Sequence, residues 1–128
     1  EAVGVHGIIV SKRNQAPVTS IVQKSSAGAV NHIKIAKVAN IADTILKLQK
    51  ENVWVYGACG EAEKIYTDMD FKGNIAIVIG NEGKGIGQLI RKRCDFLTKL
   101  PMKGKVSSLN ASNACAILVY EALRQRDE

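Results

Sequence analysis

The stretch IAIVIGNEGKGI, residues 75–86, carries the clearest fold signal in this 128-residue chain. Its first five residues are apolar and mostly β-branched, which predicts a short buried strand over 75–79. Glycines and polar residues follow, and a helix is predicted over 86–93. A strand that runs through a glycine-rich turn into a helix is typical of α/β proteins with parallel strands. Such a turn can build a ligand site, because glycine lets a ligand approach the backbone.

The glycine spacing in this turn matches neither of two common phosphate-binding motifs. Gly80 and Gly85 have the spacing of the P-loop glycines, but Ile86 stands where the lysine belongs. Counted from Gly83, the dinucleotide fingerprint GxGxxG fails because Gln88 occupies its third glycine position. On spacing alone, a purely structural turn explains this loop as well as a ligand site does.

The rest of the chain alternates strands and helices. Apolar or alternating runs predict further strands at 5–10, 33–38, 53–56 and 95–100. Helical signals predict helices over 18–25, from Asn40 onward and over 110–126. This order predicts an α/β fold, a parallel sheet with helices on both faces. The segment Ala114–Leu123 is apolar almost all round apart from Glu121, so the last helix should be buried on several sides, in the core or against a partner subunit.

The positive charge is concentrated in one segment. The chain carries 18 Lys and Arg against 12 Asp and Glu, a net charge of +6. Residues 84–105 hold seven bases and one acid, so this segment accounts for the whole excess. A concentrated basic patch indicates a polyanion such as nucleic acid, although a solvated helix face has the same pattern. The residues that we expect to contact nucleic acid are Arg91, Lys92 and Arg93.

Composition argues against several other classes. No apolar run is long enough to span a membrane and no export leader opens the sequence, so we expect no membrane partner. Three cysteines without a CxxC pair favour neither disulfides nor a zinc site, and they indicate reduced thiols in the cytoplasm. The sequence also lacks the GxSxG and HExxH motifs, and no close pair of carboxylates in it suggests a glycosidase. We therefore expect no metal centre and no standard hydrolase site.

A second polar cluster, LPMKGKVSSLN at residues 100–110, runs from a strand end into the last helix. In open parallel sheets, ligands bind beyond the carboxyl ends of the strands. Gly57, Gly80 and Leu100 all follow predicted strands, so their three loops could converge on one edge. Purely structural roles remain open here, with Asn110 as a helix N-cap and Ser108 as a turn residue.

These two clusters resemble motifs of a known family. Residues 77–85, IVIGNEGKG, resemble the second motif of the SpoU (TrmH-like) RNA 2′-O-ribose methyltransferases of the SPOUT superfamily. Residues 100–112 resemble their third motif, in the right order and at the right distance. The opening residues 1–7 and residues 26–29 are also similar to this family. The subfamily that modifies a guanosine of large-subunit ribosomal RNA is the most similar.

The resemblance implies S-adenosylmethionine as the methyl donor, a C-terminal deep trefoil knot and a homodimer. It implies RNA as the substrate, ribosomal RNA rather than transfer RNA. The cofactor would be held by Gly80, Leu100 and Leu109, with Gly57 and Met102 nearby. Methyl transfer to a ribose hydroxyl needs that hydroxyl aligned and its proton removed. The catalytic candidates, which would orient and stabilise the reacting groups, are Glu82, Ser108 and Asn110.

The sequence departs from the family pattern at its start. The first motif carries an asparagine and an arginine, and Glu1-Ala2 resembles the end of that motif. We therefore expect residues 1–128 to be a methyltransferase domain without its first strand and first motif. Two other hypotheses remain open: a catalytically incompetent fragment that binds RNA or cofactor, and a flavodoxin-like module that binds another nucleotide. The second leaves residues 100–112 unexplained.

Overall fold

The computed structural model describes residues 1–12, 32–80, 85–106 and 108–127. The strands are β1 (Gly7–Ser11), β2 (Lys34–Val38), β3 (Trp54–Ala58), β4 (Ile75–Val78) and β5 (Phe96–Thr98). The α-helices are α1 (Ile41–Lys50), α2 (Gln88–Arg93) and α3 (Ala111–Arg126). A 3₁₀ turn is described at Tyr66–Asp68. Each of these strands and α-helices was expected to within a few residues, and the helix predicted over 18–25 lies outside the described residues.

The first compact unit, Glu1–Thr44, holds a two-stranded parallel sheet. Strand β1 pairs with β2 in register from Gly7 opposite Lys34 to Ser11 opposite Val38. Asn40 caps the start of α1, because its Oδ1 accepts a hydrogen bond from the backbone N–H of Asp43 at 3.1 Å. The expected N-cap is therefore confirmed, and it satisfies an N–H that the helix itself leaves unpaired.

The second unit, Ile45–Glu128, holds a three-stranded parallel sheet in the order β4-β3-β5. The central strand β3 pairs with β4 from Trp54 opposite Ile75, and with β5 from Tyr56 opposite Phe96. The predicted α/β class and the parallel pairing are confirmed. The prediction of one sheet needs correction, because the described strands are hydrogen-bonded in two sheets. Pairing between distant segments is not encoded in the local pattern of either strand.

The core of the second unit lies between β3 and α3. Tyr56 packs edge-on against Phe71 with ring centroids 4.9 Å apart, and its hydroxyl donates a hydrogen bond to the Asp70 carbonyl. Leu118 and Ala122 of α3 complete this buried cluster. A second, smaller cluster contains Cys59, Ala62 and Ile86, with half-buried apolar residues of β4, β5 and α2 around it.

Helix α3 buries one stripe, which differs from the expected burial on several sides. The stripe consists of Leu118, Glu121, Ala122 and Gln125, whereas Ile117 and Tyr120 are exposed. Glu121, which interrupts the apolar run, lies inside because Arg124 donates hydrogen bonds of 2.8 and 2.9 Å to its two carboxylate oxygens. The hydrogen bonds from Arg124 and then Gln125 hold the pKa of Glu121 at about 2 despite its burial.

The carboxyl end of α3 is tied to residues 69–73. Gln125 donates to the Met69 carbonyl at 2.9 Å and accepts from the Phe71 N–H at 2.7 Å. Arg126 donates to the carbonyls of Phe71 and Gly73. These bonds fix the carboxyl end of α3 against residues 69–73. The amino end of the helix is capped by Asn110. Within the described part of the chain, no helix is long and apolar enough to cross a membrane.

Candidate functional site

A cleft of about 420 Å³ opens beyond the carboxyl ends of β3 and β5. Gly60 lies on the β3 side, and the extension of β5 forms the other wall. The residues that line the cleft are Gly60, Ile65, Lys99, Leu100, Pro101, Met102 and Lys103. The position agrees with the general rule for open parallel sheets. We call this space the 99–103 cleft.

Backbone hydrogen bonds fix the walls of the 99–103 cleft. The N–H of Cys59 donates to the Thr98 carbonyl at 2.9 Å, which joins the start of one loop to β5. The N–H of Tyr66 donates to the Lys99 carbonyl and the N–H of Lys99 donates to the Lys64 carbonyl, both at 3.0 Å. Because both walls belong to one hydrogen-bonded frame, the cleft does not depend on side-chain packing alone.

Leu100 and Met102 are the two predicted cofactor residues that the structure brings together in this cleft. Leu100 is half-buried and packs against the core cluster, as does Ile79 at the end of β4. Met102 is 37% exposed, so part of its side chain faces solvent at the cleft. Pro101 and Lys103 belong to the cluster at 100–110, but Gly60, Ile65 and Lys99 were not predicted as cleft residues. Gly60 shortly follows one predicted strand and Lys99 lies near the end of another, whereas no local signal marks Ile65.

Gly80 and Gly57 are glycines because of close packing. A Cβ on Gly80 would lie 2.2 Å from the carbonyl carbon of Gly85, so a side chain at residue 80 would collide with the backbone of residue 85. A Cβ on Gly57 would lie 2.8 Å from the Cys94 sulfur, beneath the sheet. Burial, and then the charge of Asp95, raise the pKa of the Cys94 thiol to about 11. Neither glycine lines the 99–103 cleft, and their part in cofactor binding stays a prediction.

Asn110 lies at the amino end of α3, where its Oδ1 accepts a hydrogen bond from the Ser112 N–H at 2.9 Å. Asn110 is therefore the N-cap of α3, the structural role that the sequence left open. Its carboxamide NH₂ forms no hydrogen bond with a described residue, so it is available as a donor. Ser108 is exposed and Leu109 is half-buried. Glu82 lies outside the described residues, and the catalytic roles of Glu82, Ser108 and Asn110 stay predictions.

The last turn of α2 holds the three bases expected to contact RNA, Arg91, Lys92 and Arg93. Their surroundings differ. Arg91 donates to Glu61 at 2.9 Å, and its own side chain is 35% exposed. Lys92 is exposed and Arg93 is half-buried. An arginine that already pairs with a carboxylate is a weaker phosphate ligand than a free lysine. The geometry therefore favours Lys92 within this group.

The parallel strands, the glycine turn after β4 and the cleft beyond β3 and β5 define a class of protein. They describe an α/β domain with a cleft at the carboxyl ends of its strands, the place where open parallel sheets bind ligands. Within this class, the chain belongs to the SpoU rRNA Methylase family, whose profile matches residues 1–120.

Relatives and solved structures agree with this membership. The 23S rRNA (guanosine-2′-O-)-methyltransferase RlmB of Pseudomonas aeruginosa is 45% identical over 126 residues, which are 98% of this chain and 51% of that protein. The SpoU methyltransferase AviRb from Streptomyces viridochromogenes, solved with the cofactor AdoMet, has a TM-score of 0.88 and 30% identity over 98% of this chain and 52% of its own. The A. aeolicus TrmH/SpoU tRNA modifying enzyme has a TM-score of 0.88 and 27% identity, over 98% of this chain and 64% of its own. The chain spans about half the length of the curated relatives it matches.

Proposed function

We propose that this chain is the part of an RNA methyltransferase that binds S-adenosylmethionine and carries the methyl group to a ribose 2′-hydroxyl. The substrate is RNA, ribosomal RNA rather than transfer RNA. One observation carries the proposal: the third family motif forms one wall of the 99–103 cleft, beyond the ends of β3 and β5. The names of the related proteins support the same reaction class.

The residues of the 99–103 cleft fit such a cofactor. A volume of about 420 Å³ lies within the range of small-molecule sites. Ile65, Leu100, Pro101 and Met102 provide apolar surface for a nucleoside base. A Cβ on Gly60 would meet no protein atom within 4 Å, so the backbone of Gly60 is open to a ligand. When bound, S-adenosylmethionine would supply an electrophilic methyl carbon on a positively charged sulfur.

The chain itself contributes binding and orientation. Leu100 is anchored by the core, so the wall that it forms cannot move freely. Asn110 uses its oxygen for the helix cap, which fixes its carboxamide and leaves the NH₂ group to donate to a ribose oxygen. Holding a hydroxyl in line with the atom it attacks is worth several kcal/mol in reactions of this kind. We assign Glu82 and Ser108 to contacts with the reacting groups.

The proposal includes three further features: a knot, a homodimer and a cytoplasmic location. The family likeness supports a C-terminal deep trefoil knot and a homodimer, and the exposed Ile117 and Tyr120 on α3 offer apolar surface for the second subunit. The free cysteines Cys59, Cys94 and Cys115 support a reducing compartment, the cytoplasm. Knots are rare in proteins, so a knot here would follow from the family and not from general packing rules.

Calorimetric titration of the 128-residue chain with S-adenosylmethionine tests the cofactor site. We expect saturable binding that Met102→Ala weakens, because Met102 lines the cleft. Val106→Ala is the matched control, since Val106 is 68% exposed and lies outside the lining. Absence of binding, or an equal effect of both substitutions, would contradict the proposed site.

Methyl transfer is tested separately in a longer protein that contains this sequence, with radiolabelled S-adenosylmethionine and ribosomal RNA. Incorporation of label into ribose 2′-oxygens is the expected result. Cofactor binding without transfer would favour the alternative, a fragment that binds RNA or cofactor without turnover. Binding of another nucleotide in place of S-adenosylmethionine would favour the flavodoxin-like module.

A further inference from the structure

A second cleft lies at the amino ends of the strands of the second unit, the opposite edge of the sheet from the 99–103 cleft. It has a volume of about 270 Å³ and is lined by Gln49, Asn52, Val53, Trp54 and Asp95. Trp54 begins β3, and Asp95 directly precedes β5. Along β3 the two edges are separated by roughly 13 Å, at about 3.3 Å per residue. We call this space the Trp54 cleft.

One exposed aromatic ring, that of Trp54, lines the Trp54 cleft, and a second exposed ring, that of Phe96, packs beside it. Trp54 is 53% exposed and Phe96 is 43% exposed, and their ring centroids lie 5.9 Å apart. Phe96 in turn stacks on the buried Tyr56 at 5.0 Å, with an angle of 27° between the rings. The exposed rings are thus supported by the core and presented in a fixed orientation. Burying them against a ligand would cost little conformational entropy.

The polar residues of the Trp54 cleft are held by their own hydrogen bonds. Asp95 Oδ2 accepts from the Val55 N–H at 2.8 Å and from Gln49 Nε2 at 3.3 Å. Gln49 also donates to the Arg93 carbonyl at 2.6 Å. Asp95 Oδ1 accepts no hydrogen bond from a described residue, and Asn52 is exposed with a left-handed φ of 63°. The cleft therefore presents an aromatic face beside hydrogen-bonding groups.

Exposed charged residues of both signs lie next to the lining residues of the Trp54 cleft in the chain. Lys50 follows Gln49 in α1, and Lys92 precedes Arg93, whose carbonyl Gln49 contacts. Both lysines are exposed, and Glu51 and Asp95 are the nearby acids. An aromatic platform with polar groups and surrounding lysines matches a single-stranded nucleic acid, in which a base stacks and phosphates meet cations. A second protein copy fits less well, because the cores of such interfaces are depleted in charged residues.

From these contacts we propose that the Trp54 cleft binds an unpaired base of RNA, stacked on Trp54, whose ring Phe96 supports. Its polar edge lies toward Asp95 and Asn52. The site is separate from the 99–103 cleft. It would bind a part of the RNA that is distant from the reacting ribose. The proposal rests on the proposed function only in taking RNA as the partner.

Trp54 is the only tryptophan in the sequence, so its fluorescence reports on this site alone. The 128-residue chain is titrated with single-stranded oligoadenylate of about ten nucleotides, within the usual site sizes for such binding. We expect saturable quenching of the Trp54 emission. Double-stranded RNA of the same length is the matched ligand control, and it should leave the emission unchanged because its bases are already stacked.

Affinity is measured independently by the anisotropy of labelled oligoadenylate. Trp54→Leu should weaken binding by roughly 5- to 100-fold, the range found for the loss of one base–aromatic stack. Trp54→Phe keeps an aromatic face and should stay close to the original affinity, as should Leu89→Ala, which removes an exposed apolar side chain of α2. Thermal melts of each variant establish that the fold is retained.

Three results would overturn the proposal. The first is an emission that RNA does not change, and the second is an unchanged RNA affinity in Trp54→Leu. The third is a Trp54 emission that shifts with protein concentration in the absence of RNA, which would identify a second copy of the chain as the occupant. Titration with S-adenosylmethionine separates this proposal from the proposed function. Trp54→Leu should keep the cofactor affinity, and lack of cofactor binding by the unsubstituted chain would contradict the proposed function alone.

Discussion

Gly80 follows β4 and lies close to the backbone of Gly85 and Ile86, just before α2. A Cβ there would lie 2.4 Å or less from three backbone atoms of Gly85 and Ile86, so one of the two segments must move. We expect Gly80→Ala to lower the free energy of unfolding by more than 1 kcal/mol, in the range of overpacked sites. It should also weaken binding of S-adenosylmethionine, because the displaced turn belongs to the second motif.

Chemical denaturation and calorimetry measure these two effects. Gly73→Ala is the control, because a Cβ on Gly73 would meet no atom within 4 Å. Equal stability of the two variants would show that the turn after β4 adapts to a side chain at residue 80.

Asn110 combines a helix cap with a place in the third motif. Its Oδ1 satisfies the Ser112 N–H, and loss of such a cap costs about 1 kcal/mol. Asn110→Ala should therefore lower stability by about this amount and reduce methyl transfer by a longer protein that contains the sequence. Asn110→Asp keeps the cap acceptor and removes the donor, so it should keep the stability and still lose activity. Full activity in Asn110→Asp would show that Asn110 caps the helix and takes no part in methyl transfer.

Glu121 makes stability depend on pH in the acid range. Its folded-state pKa of about 2 lies below the ordinary value of 4.5, because the charged form is hydrogen-bonded to Arg124 and Gln125. A lowered pKa contributes stability that is present above pH 4.5 and is lost as the pH falls toward 2. We expect the free energy of unfolding to fall in that window for the original chain and to fall less in Glu121→Gln. Urea denaturation at several pH values measures this, and parallel pH profiles would refute the assignment.

At the scale of elements, α2 is a six-residue helix whose last turn holds Arg91, Lys92 and Arg93. If all three contact phosphates of single-stranded RNA, replacing them together should flatten the log–log salt dependence of RNA affinity by about 2, at about 0.7 per contact. Because Arg91 already pairs with Glu61, Lys92→Ala alone should flatten the slope more than Arg91→Ala. Binding of S-adenosylmethionine should not change in any of these variants. An unchanged slope in the triple variant would mean that this turn of α2 is a solvated face.

In the second unit, the 99–103 cleft is built from loops that follow two strands of one sheet, and we propose it as the cofactor site. A ligand that binds only the folded chain stabilises it by about 2.7 kcal/mol at a concentration of 100 times its Kd. We expect S-adenosylmethionine at that ratio to raise the melting temperature by several degrees, in both the original chain and Val106→Ala. ATP serves as the ligand control and should leave the melting temperature unchanged. The same rise with ATP would indicate a general nucleotide site and contradict the assigned cofactor.

Local sequence was sufficient to predict the strands and helices that the structure describes. The apolar runs before Gly80 and Leu100 predicted β4 and β5, since a strand of this kind is recognised from a few consecutive residues. Asn40 and Asn110 predicted two helix starts, because a cap is an interaction within one helical turn. The family resemblance assigned Leu100 and Met102 to the cofactor, and both line the 99–103 cleft. Their role in cofactor binding stays a prediction.

Contacts between distant segments were decided only by the tertiary structure. The division into two sheets, the burial of Glu121 and the pairing of Arg91 with Glu61 depend on partners from other elements or on packing, which periodicity does not encode. The same holds for the Trp54 cleft, since Gln49 and Asp95 are 46 residues apart and meet only in the folded chain. A sequence pattern records how each side chain faces along its own strand or helix. Which residue lies opposite follows from the packing of the whole chain.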